Sequence, residues 1–286
     1  MTADSTTTLA VLGSPIEHSK SPALHLAAYR TLGLDWQYGQ VEMTGDRLAE
    51  FIRTRDASWR GLSLTMPLKQ DVLPLLDTLD ERARLTGAAN TLLFDGGARH
   101  GFNTDIGGIT APLRAAQVTG LEQALILGGG ATAASALVAV SELGCREATI
   151  AVRTPAKAAA LVDLGTACGV AVRIVPLGEA TTVPADVVIS TLPNGALYEL
   201  EFPRSLRAGA VLFDVAYDPW PTALASAWSD AAGRVIPGIE MLIGQALIQV
   251  RVFVGGDPGT ALPHEAAVHQ AMRNAVGVGP SPLWED

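Results

Sequence analysis

The sequence predicts an α/β protein of two domains, the first mostly parallel and the second a doubly wound sheet. Three observations predict it. Short strand-like runs alternate with helical stretches along most of the chain, the pattern of parallel strands joined by crossover helices. An apolar run, Ala124-Leu125-Ile126-Leu127, enters Gly128-Gly129-Gly130 and then a helical stretch through Leu143. The length, 286 residues, suits two domains of ordinary size.

The elements follow in order. Met1 to Thr8 is Ser/Thr-rich and reads as frayed. Leu9 to Leu12 is strand-like and leads to Gly13, and a helix begins near Pro22. A strand surrounds Trp36 to Val41, a helix runs from about Asp46 to Arg55, and Gly61 to Thr65 is a third strand. Helical and short extended segments continue to Asn103, and from about Asp105 a helix leads into the glycine-rich unit. Glu147 to Val152 is the strand after that unit, followed by strands at Ala171 to Val175, Asp186 to Thr191, Val211 to Val215 and Arg234 to Ile236. This is a sheet of about six strands ending near Gly238. The last long helix, from about Glu240 to Val254, comes after the sheet is complete and is expected to cross back to the first domain. The first domain is then discontinuous, 1–106 plus 239–286, and the second spans 107–238. Gly277 to Asp286 reads as a tail.

Composition narrows the function. Hydrophobic residues are 48% and charged ones 17%, which suits an α/β chain with a large core. A net charge of −9 with no Lys/Arg run argues against nucleic acid or an acidic membrane surface as partner. Cys145 and Cys168 form no C-x-x-C pattern and read as buried thiols in a reducing compartment. His18, His25, His100, His264 and His269 show no metal-ligand spacing, so no metal is expected. No charged segment followed by an apolar core opens the chain, and no apolar run reaches transmembrane length, so the expected location is cytoplasmic.

Gly128, Gly130 and Ala133 fit G-x-G-x-x-G/A, in which glycine lets the backbone approach a pyrophosphate and a small third residue lets helix and strand pack closely. The helix behind them offers unpaired N–H groups and a partial positive charge. Strand, glycine loop, helix and second strand together form a Rossmann-type unit. An NAD site usually places Asp or Glu at the end of the second strand. Here stand Val152-Arg153-Thr154, with Lys157 one turn later. A guanidinium clamps a 2′-phosphate that a carboxylate would repel, so NADP(H) fits better than NAD(H). The alternative is that Arg153 and Lys157 are solvated surface cations.

A nicotinamide enzyme acting at a carbonyl must also move a proton at the oxygen, worth ~10²–10⁴-fold when the acid or base is positioned. Lys69 follows the strand Leu62-Ser63-Leu64-Thr65 and Pro67, which puts it in the first turn of a helix. A cation there opposes the helix dipole. It also reads as an ordinary surface lysine. Asp105 closes Asn103-Thr104-Asp105 before a helix, where an N-cap is the commoner role. Ser21 before Pro22 is likewise a good N-cap, and Ser19 is as ambiguous. Asn90 and Gln245 carry no signal of their own.

Seven segments in order resemble the shikimate dehydrogenase family over nearly the entire chain. They are Gly13-Ser14-Pro15-Ile16-Glu17-His18-Ser19-Lys20-Ser21-Pro22, Leu64-Thr65-Met66-Pro67-Leu68-Lys69, Ala89-Asn90-Thr91, Asn103-Thr104-Asp105, Gly128-Gly129-Gly130-Ala131, Asp214-Val215-Ala216-Tyr217-Asp218-Pro219, and the stretch from Gly238 through Met241 to Gln245-Ala246. The resemblance implies reversible NADP-dependent reduction of 3-dehydroshikimate to shikimate in aromatic biosynthesis, with a small-molecule substrate and a monomer or homodimer. It assigns Ser19 and Ser21 to the substrate carboxylate with Tyr217 nearby. Thr65, Asn90 and Gln245 are assigned to the ring oxygens, and Lys69 with Asp105 to catalysis. It places Gly128, Gly129, Gly130, Ala131, Thr132, Ala133, Arg153, Thr154, Lys157, Thr191, Gly238 and Met241 on the cofactor. Two positions depart from the family pattern: Val152 replaces the usual asparagine at the ribose, and Met66 a valine-like residue beside the nicotinamide. Two rival readings are a quinate/shikimate dehydrogenase using either nicotinamide cofactor and a non-catalytic NADP(H)-binding sensor.

Overall fold

The structure is a computed structural model that describes residues 6–118, 120–193 and 200–280. The chain forms two compact units, Met1–Thr104 with Ile243–Asp286, and Asp105–Leu242. In the first, the strands are β1 (Thr8–Gly13), β2 (Gln37–Glu42), β3 (Trp59–Leu64), β4 (Thr78–Leu79), β5 (Thr91–Asp95) and β6 (Ala98–Phe102). Its opening helices are α1 (Ser21–Thr31), α2 (Gly45–Arg53), α3 (Leu68–Asp71) and α4 (Glu81–Thr86). In the second, β7 (Gln123–Leu127), β8 (Glu147–Val152), β9 (Ala171–Pro176), β10 (Val187–Ser190), β11 (Val211–Asp214) and β12 (Val235–Pro237) alternate with helices α5 (Asp105–Ala115), α6 (Ala131–Glu142), α7 (Ala160–Cys168), α8 (Arg204–Gly209) and α9 (Ala223–Asp230). Helix α10 (Gly238–Gly255) spans the boundary between units, and α11 (Glu265–Ala275) follows in the first.

The first sheet has the order β2-β1-β3-β5-β6-β4. β1 is parallel to β2 and β3, and β4 is parallel to β6. β5 runs antiparallel to both neighbours. The reversal is local: Gly96 and Gly97, both at positive φ, join β5 to β6 by the two-residue turn that such a backbone permits. Leu12, Leu62, Leu64 and Leu92 carry the core of this sheet, with Leu48 and Ile52 covering one face.

The second sheet has the order β12-β11-β10-β7-β8-β9, and every pair is parallel. That is the doubly wound order, with the reversal of winding between β7 and β10. Alanine makes the close packing of α6 possible: Ala133, Ala136 and Ala139 are all fully buried against Ile126 and Ile150.

Two helices differ from the sequence reading. Helix α10 has the length and mean hydropathy of a membrane-crossing segment, where no such run was expected, and 56% of it is buried inside the protein. Its apolar residues are core residues: Ile243, Ala246, Leu247, Val250 and Phe253 are buried, and the bare backbone of Gly61 admits the Phe253 ring to β3. Helix α11 is not expected from the sequence, because four of its six apolar residues are alanines and only Val268 and Met272 are large. Val268 and Met272, four apart, bury one stripe of it. Arg251 holds its start with a fork of two bonds to Glu265, at 2.7 and 2.5 Å, in a largely buried setting. Both cysteines are free; Cys145 is buried, but Cys168 is only half-buried.

His25 on α1 is fully buried and stacks on Tyr38, centroids 4.0 Å apart at 12°. Its Nδ1 meets the Ser21 carbonyl at 2.9 Å. Burial pushes its pKa from 6.5 down to about 4, against the raising effects of Ser21 and Gln249. Between those values the unfolded chain binds a proton that the native chain refuses, so this contribution to stability is lost as pH falls. The loss between pH 7 and pH 4 is on the order of 3 kcal/mol. Urea unfolding at both pH values should therefore show a shallower decline for His25→Phe than for the wild type. Equal declines would mean that His25 is not held neutral.

Candidate active site

Four backbone bonds gather the predicted residues of the first unit at one end of its sheet. Thr65 N–H donates to Leu12 O at 2.9 Å, which joins the ends of β1 and β3. Leu64 N–H donates to Asn90 O at 2.7 Å, and Ala89 N–H to Lys69 O at 2.8 Å. Asn90 N–H donates to Phe102 O at 3.0 Å, which brings in the end of β6 and the segment Asn103-Thr104. The loop leaving β1 is tied to the same place, since Ser14 N–H donates to Met66 O at 2.9 Å and the Ser14 hydroxyl bonds Glu42. Ser19 lies on the continuation of that loop, and Ser21 opens α1.

The side chains follow from this frame. Asn90 is buried, and its Nδ2 donates to Thr104 Oγ1 at 2.9 Å and to Gln245 Oε1 at 3.3 Å. Gln245 is thereby drawn from α10 to the sheet end. Lys69 is half-buried and Met66 is 59% exposed, a large apolar side chain facing outward at the rim. Ser21 is buried and Ser19 half-buried.

Three local expectations need correction. Ser21 does not cap α1: Lys20 is the N-cap, Ser21 is the first helical residue, and the oxygen supplied to its N–H is Ser19 Oγ at 3.4 Å. Asp105 is not a cap either; it is buried as the first residue of α5, where the helix favours a carboxylate. Lys69 does lie in a first turn, but α3 has four residues and is all first turn, so the dipole argument has little force. Its place is set by Ala89 instead.

Asp105 and Tyr217 belong to the second unit. Burial raises the Tyr217 hydroxyl pKa, and the charge of Asp218 adds to it. The loop bearing Tyr217 is anchored at Asp214, which accepts from the Thr222 hydroxyl at 2.6 Å and from Ala216 N–H at 3.3 Å. Burial raises the Asp214 pKa, and those bonds offset part of the rise. Asp214 gave no signal beyond its motif, and neither did Ser63 or Gln249, whose place in the sheet-end network appears only in three dimensions.

The glycine loop sits at the switch point of the second sheet. Gly128 has φ +109°, a region that side chains rarely adopt, and a Cβ there would run into the Thr191 hydroxyl. Thr191 in turn donates to Leu127 O at 2.8 Å, so the ends of β7 and β10 are joined. Gly130 caps α6, and open space lies where its side chain would stand. No side chain caps this twelve-residue helix, and no acid lies in its first turn, so Ala131 and Thr132 stand where backbone N–H groups face an anion. Ala133 is fully buried, as close packing demands. The cradle fits a pyrophosphate.

Arg153, Thr154 and Lys157 are exposed at the end of β8. Val152 is buried and packs toward Gly129, turned away from solvent. Gly238 opens α10 where the Val215 carbonyl leaves no room for a side chain, and Met241 is buried in the core of the second unit.

The family model for the shikimate dehydrogenase substrate binding domain matches residues 11–92. A shikimate dehydrogenase (NADP(+)) of Pelobacter propionicus is 34% identical over 253 residues, which cover 86% of this chain and 90% of the relative. This chain belongs to the shikimate dehydrogenase family. Among solved structures, the shikimate dehydrogenase of Mycobacterium tuberculosis is 41% identical with a TM-score of 0.80, covering 94% of this chain and 99% of its own. The shikimate 5-dehydrogenase of Thermus thermophilus in complex with NADP(H) and shikimate is 30% identical with a TM-score of 0.75, covering 94% of this chain and all of its own. The two-domain α/β fold with a Rossmann-type sheet is the fold of the family.

Gly128 and Gly130 should respond differently to a methyl group. Gly128→Ala forces a strained backbone and a clash, and should lower unfolding free energy by about 1–3 kcal/mol. Gly130→Ala enters open space at an ordinary φ and should lower it by less, under ~1 kcal/mol, the cost of alanine at an N-cap. Denaturant unfolding of both variants checks this, and equal effects would contradict the geometry of the loop.

Proposed function

We propose that this chain is an NADP-dependent oxidoreductase that reversibly reduces 3-dehydroshikimate to shikimate in chorismate and aromatic amino acid biosynthesis. Belonging to a family whose relatives bear the name shikimate dehydrogenase (NADP(+)) supports the reaction and the cofactor. The observation that carries the site is the sheet end of the first unit, where Lys69, Asn90 and Gln245 are tied into one hydrogen-bonded frame.

In this reading the first unit, Met1–Thr104 with Ile243–Asp286, binds substrate, and the unit Asp105–Leu242 binds cofactor. Ser19 and Ser21 hold the substrate carboxylate, with Tyr217 beside it. Thr65, Asn90 and Gln245 hydrogen-bond the ring oxygens. Gly128, Gly129, Gly130, Ala131, Thr132 and Ala133 cradle the pyrophosphate, and Arg153, Thr154 and Lys157 take the 2′-phosphate. Thr191, Gly238 and Met241 complete the cofactor side. When bound, the nicotinamide supplies the hydride that reduction of the carbonyl carbon requires.

The protein's own task is then the proton. Negative charge develops on the carbonyl oxygen as the carbon is reduced, and a proton must arrive there. Lys69 donates it, and Asp105 orients the ammonium and holds a neighbouring hydroxyl. The two residues together are the proposed acid–base pair. In the reverse direction the same pair takes the proton from the alcohol.

The partners in this proposal are small molecules only, with no nucleic acid or membrane, and the net charge of −9 supports that restriction. The chain acts in the cytoplasm as a monomer or homodimer. Free cysteines accord with a reducing compartment.

Shikimate and quinate should each be offered with NADP+ and with NAD+ while nicotinamide absorbance is followed. Shikimate with NADP+ should give the highest kcat/KM, and a higher value for quinate or for NAD+ would overturn the assignment. Arg153→Ala should raise the KM for NADP+ by ~10–100-fold, the worth of hydrogen bonds to a charged group, with little change for NAD+. Lys69→Ala should lower kcat by ~10²–10⁴-fold with a smaller change in shikimate KM. Near wild-type turnover would remove Lys69 from the chemistry.

A further inference from the structure

A buried chain of hydrogen bonds runs through the first unit to the proposed substrate residues. The Tyr38 hydroxyl donates to Ser63 Oγ at 2.6 Å, and Ser63 Oγ donates to Gln249 Oε1 at 2.8 Å. Gln249 Nε2 donates to the Asn90 carbonyl at 3.0 Å and to Thr91 Oγ1 at 3.0 Å. The Thr91 hydroxyl then donates to Asn90 Oδ1 at 2.9 Å. Tyr38, Ser63, Thr91, Asn90 and Gln249 are all nearly inaccessible, Gln249 at 1%.

The direction of every bond in this chain is forced. A backbone carbonyl only accepts, so the Gln249 atom facing Asn90 O must be the amide nitrogen. Both its protons are then used, on Asn90 O and Thr91 Oγ1. Thr91 Oγ1 accepts one of them, which leaves its own proton for Asn90 Oδ1. At the far side Thr104 N–H, which only donates, also reaches Asn90 Oδ1, at 2.9 Å. Asn90 must therefore present its oxygen inward and its NH2 group toward Gln245 Oε1. Gln245 accepts there, which fixes its own polarity in turn.

We propose that Gln249 is a positioning residue for substrate recognition, acting through Thr91 together with Thr104 N–H to hold which atoms Asn90 and Gln245 offer to the hydroxyl groups of the ligand. It rests on the reading of this sheet end as the shikimate site. Gln249 itself does not touch the substrate. It holds the Asn90 backbone from one side while Leu64 N–H holds the same carbonyl from the other, and it sends a defined polarity through Thr91. A ligand hydroxyl placed against a fixed amide meets one pattern of donor and acceptor. With the relay broken, only Thr104 N–H still holds Asn90 Oδ1, the amide turns more readily, and discrimination between ring oxygens falls.

Two substitutions break the relay at different points. Gln249→Glu keeps the shape but cannot donate to Asn90 O or Thr91 Oγ1, and the Thr91 proton turns to the new carboxylate. Thr91→Val keeps Gln249 on the Asn90 carbonyl and removes only the hydroxyl. Each should raise the KM for shikimate about tenfold, the size of one lost hydrogen bond, with the KM for NADP+ within about twofold of wild type. Shikimate and NADP+ KM values moving together, or a lowered Tm with unchanged KM values, would reduce Gln249 to a core residue and overturn the proposal. A second readout needs no turnover. Hydrogen exchange of the Asn90 side-chain NH2, followed by ¹⁵N NMR in the ligand-free protein, should be about tenfold faster in both variants, again the measure of one bond. Unchanged exchange in both would overturn the proposal by itself. If wild type fails to oxidise shikimate while this exchange still responds, the functional reading falls and the relay stands.

Discussion

Two backbone hydrogen bonds decide where the reactive groups of the first unit stand: Leu64 N–H to Asn90 O, and Ala89 N–H to Lys69 O. The first locks the end of β3 to the start of β5. The second hangs the one-turn helix α3 from the residue before Asn90. An ammonium on a flexible four-carbon stem becomes a usable acid only when its Cα is fixed, because rotamer freedom otherwise spreads the charge over many places. Here the fixing comes from sheet pairing, which is the stiffest element available. The antiparallel insertion of β5 and β6 into an otherwise parallel sheet therefore has a consequence for chemistry: it carries Asn90 and Thr104 to the end where β1 and β3 finish.

The second unit solves a different problem with the same means. In the proposed reading an anion is held without a side-chain charge beside the pyrophosphate, and backbone N–H groups at the start of α6 are the donors. They are available because β7 ends in Gly128 at a positive φ, turns against Thr191, and leaves Gly130 bare. The winding of the sheet reverses at this point, between β7 and β10, the place where open α/β sheets bind their ligands. In the proposed reading charge is kept for the far end of the ligand, the role given to Arg153 and Lys157, which are exposed at the end of β8.

Much of this was legible in the sequence, and what was not has physical reasons. The strand–glycine–helix signature of β7 and α6 is local, since the turn, the cap and the small residues lie within ten positions, and local rules reach that far. The α/β alternation was legible for the same reason. Helix α10 was legible as a helix, but its hydropathy was underrated because Glu240, Gln245 and Arg251 interrupt the apolar run. Helix α11 was missed because its buried stripe is narrow and includes His269 and Arg273. At the site, spacing gave Lys69 its turn of helix but overstated the dipole, and it made caps of Ser21 and Asp105, which are the first residues of their helices. Asn90, Gln245 and Gln249 were silent because an amide is defined by its partners, and theirs lie up to about 190 positions away in the chain, on strands that pair only after folding. Family resemblance supplied Asn90 and Gln245; nothing in the sequence supplied Gln249.

In the proposed reading, the sheet end bearing Lys69, Asn90 and Gln245 is where the hydroxylated ring binds. A crystal of this protein soaked in shikimate and NADP+ tests it most directly, through the difference density of the ring. Ring oxygens should lie at hydrogen-bonding distance, roughly 2.7–3.2 Å, from Lys69 Nζ and the side-chain amides of Asn90 and Gln245, with the carboxylate on Ser19 and Ser21. Ordered ring density at any other place on the first unit, with this sheet end bearing only solvent, would contradict it.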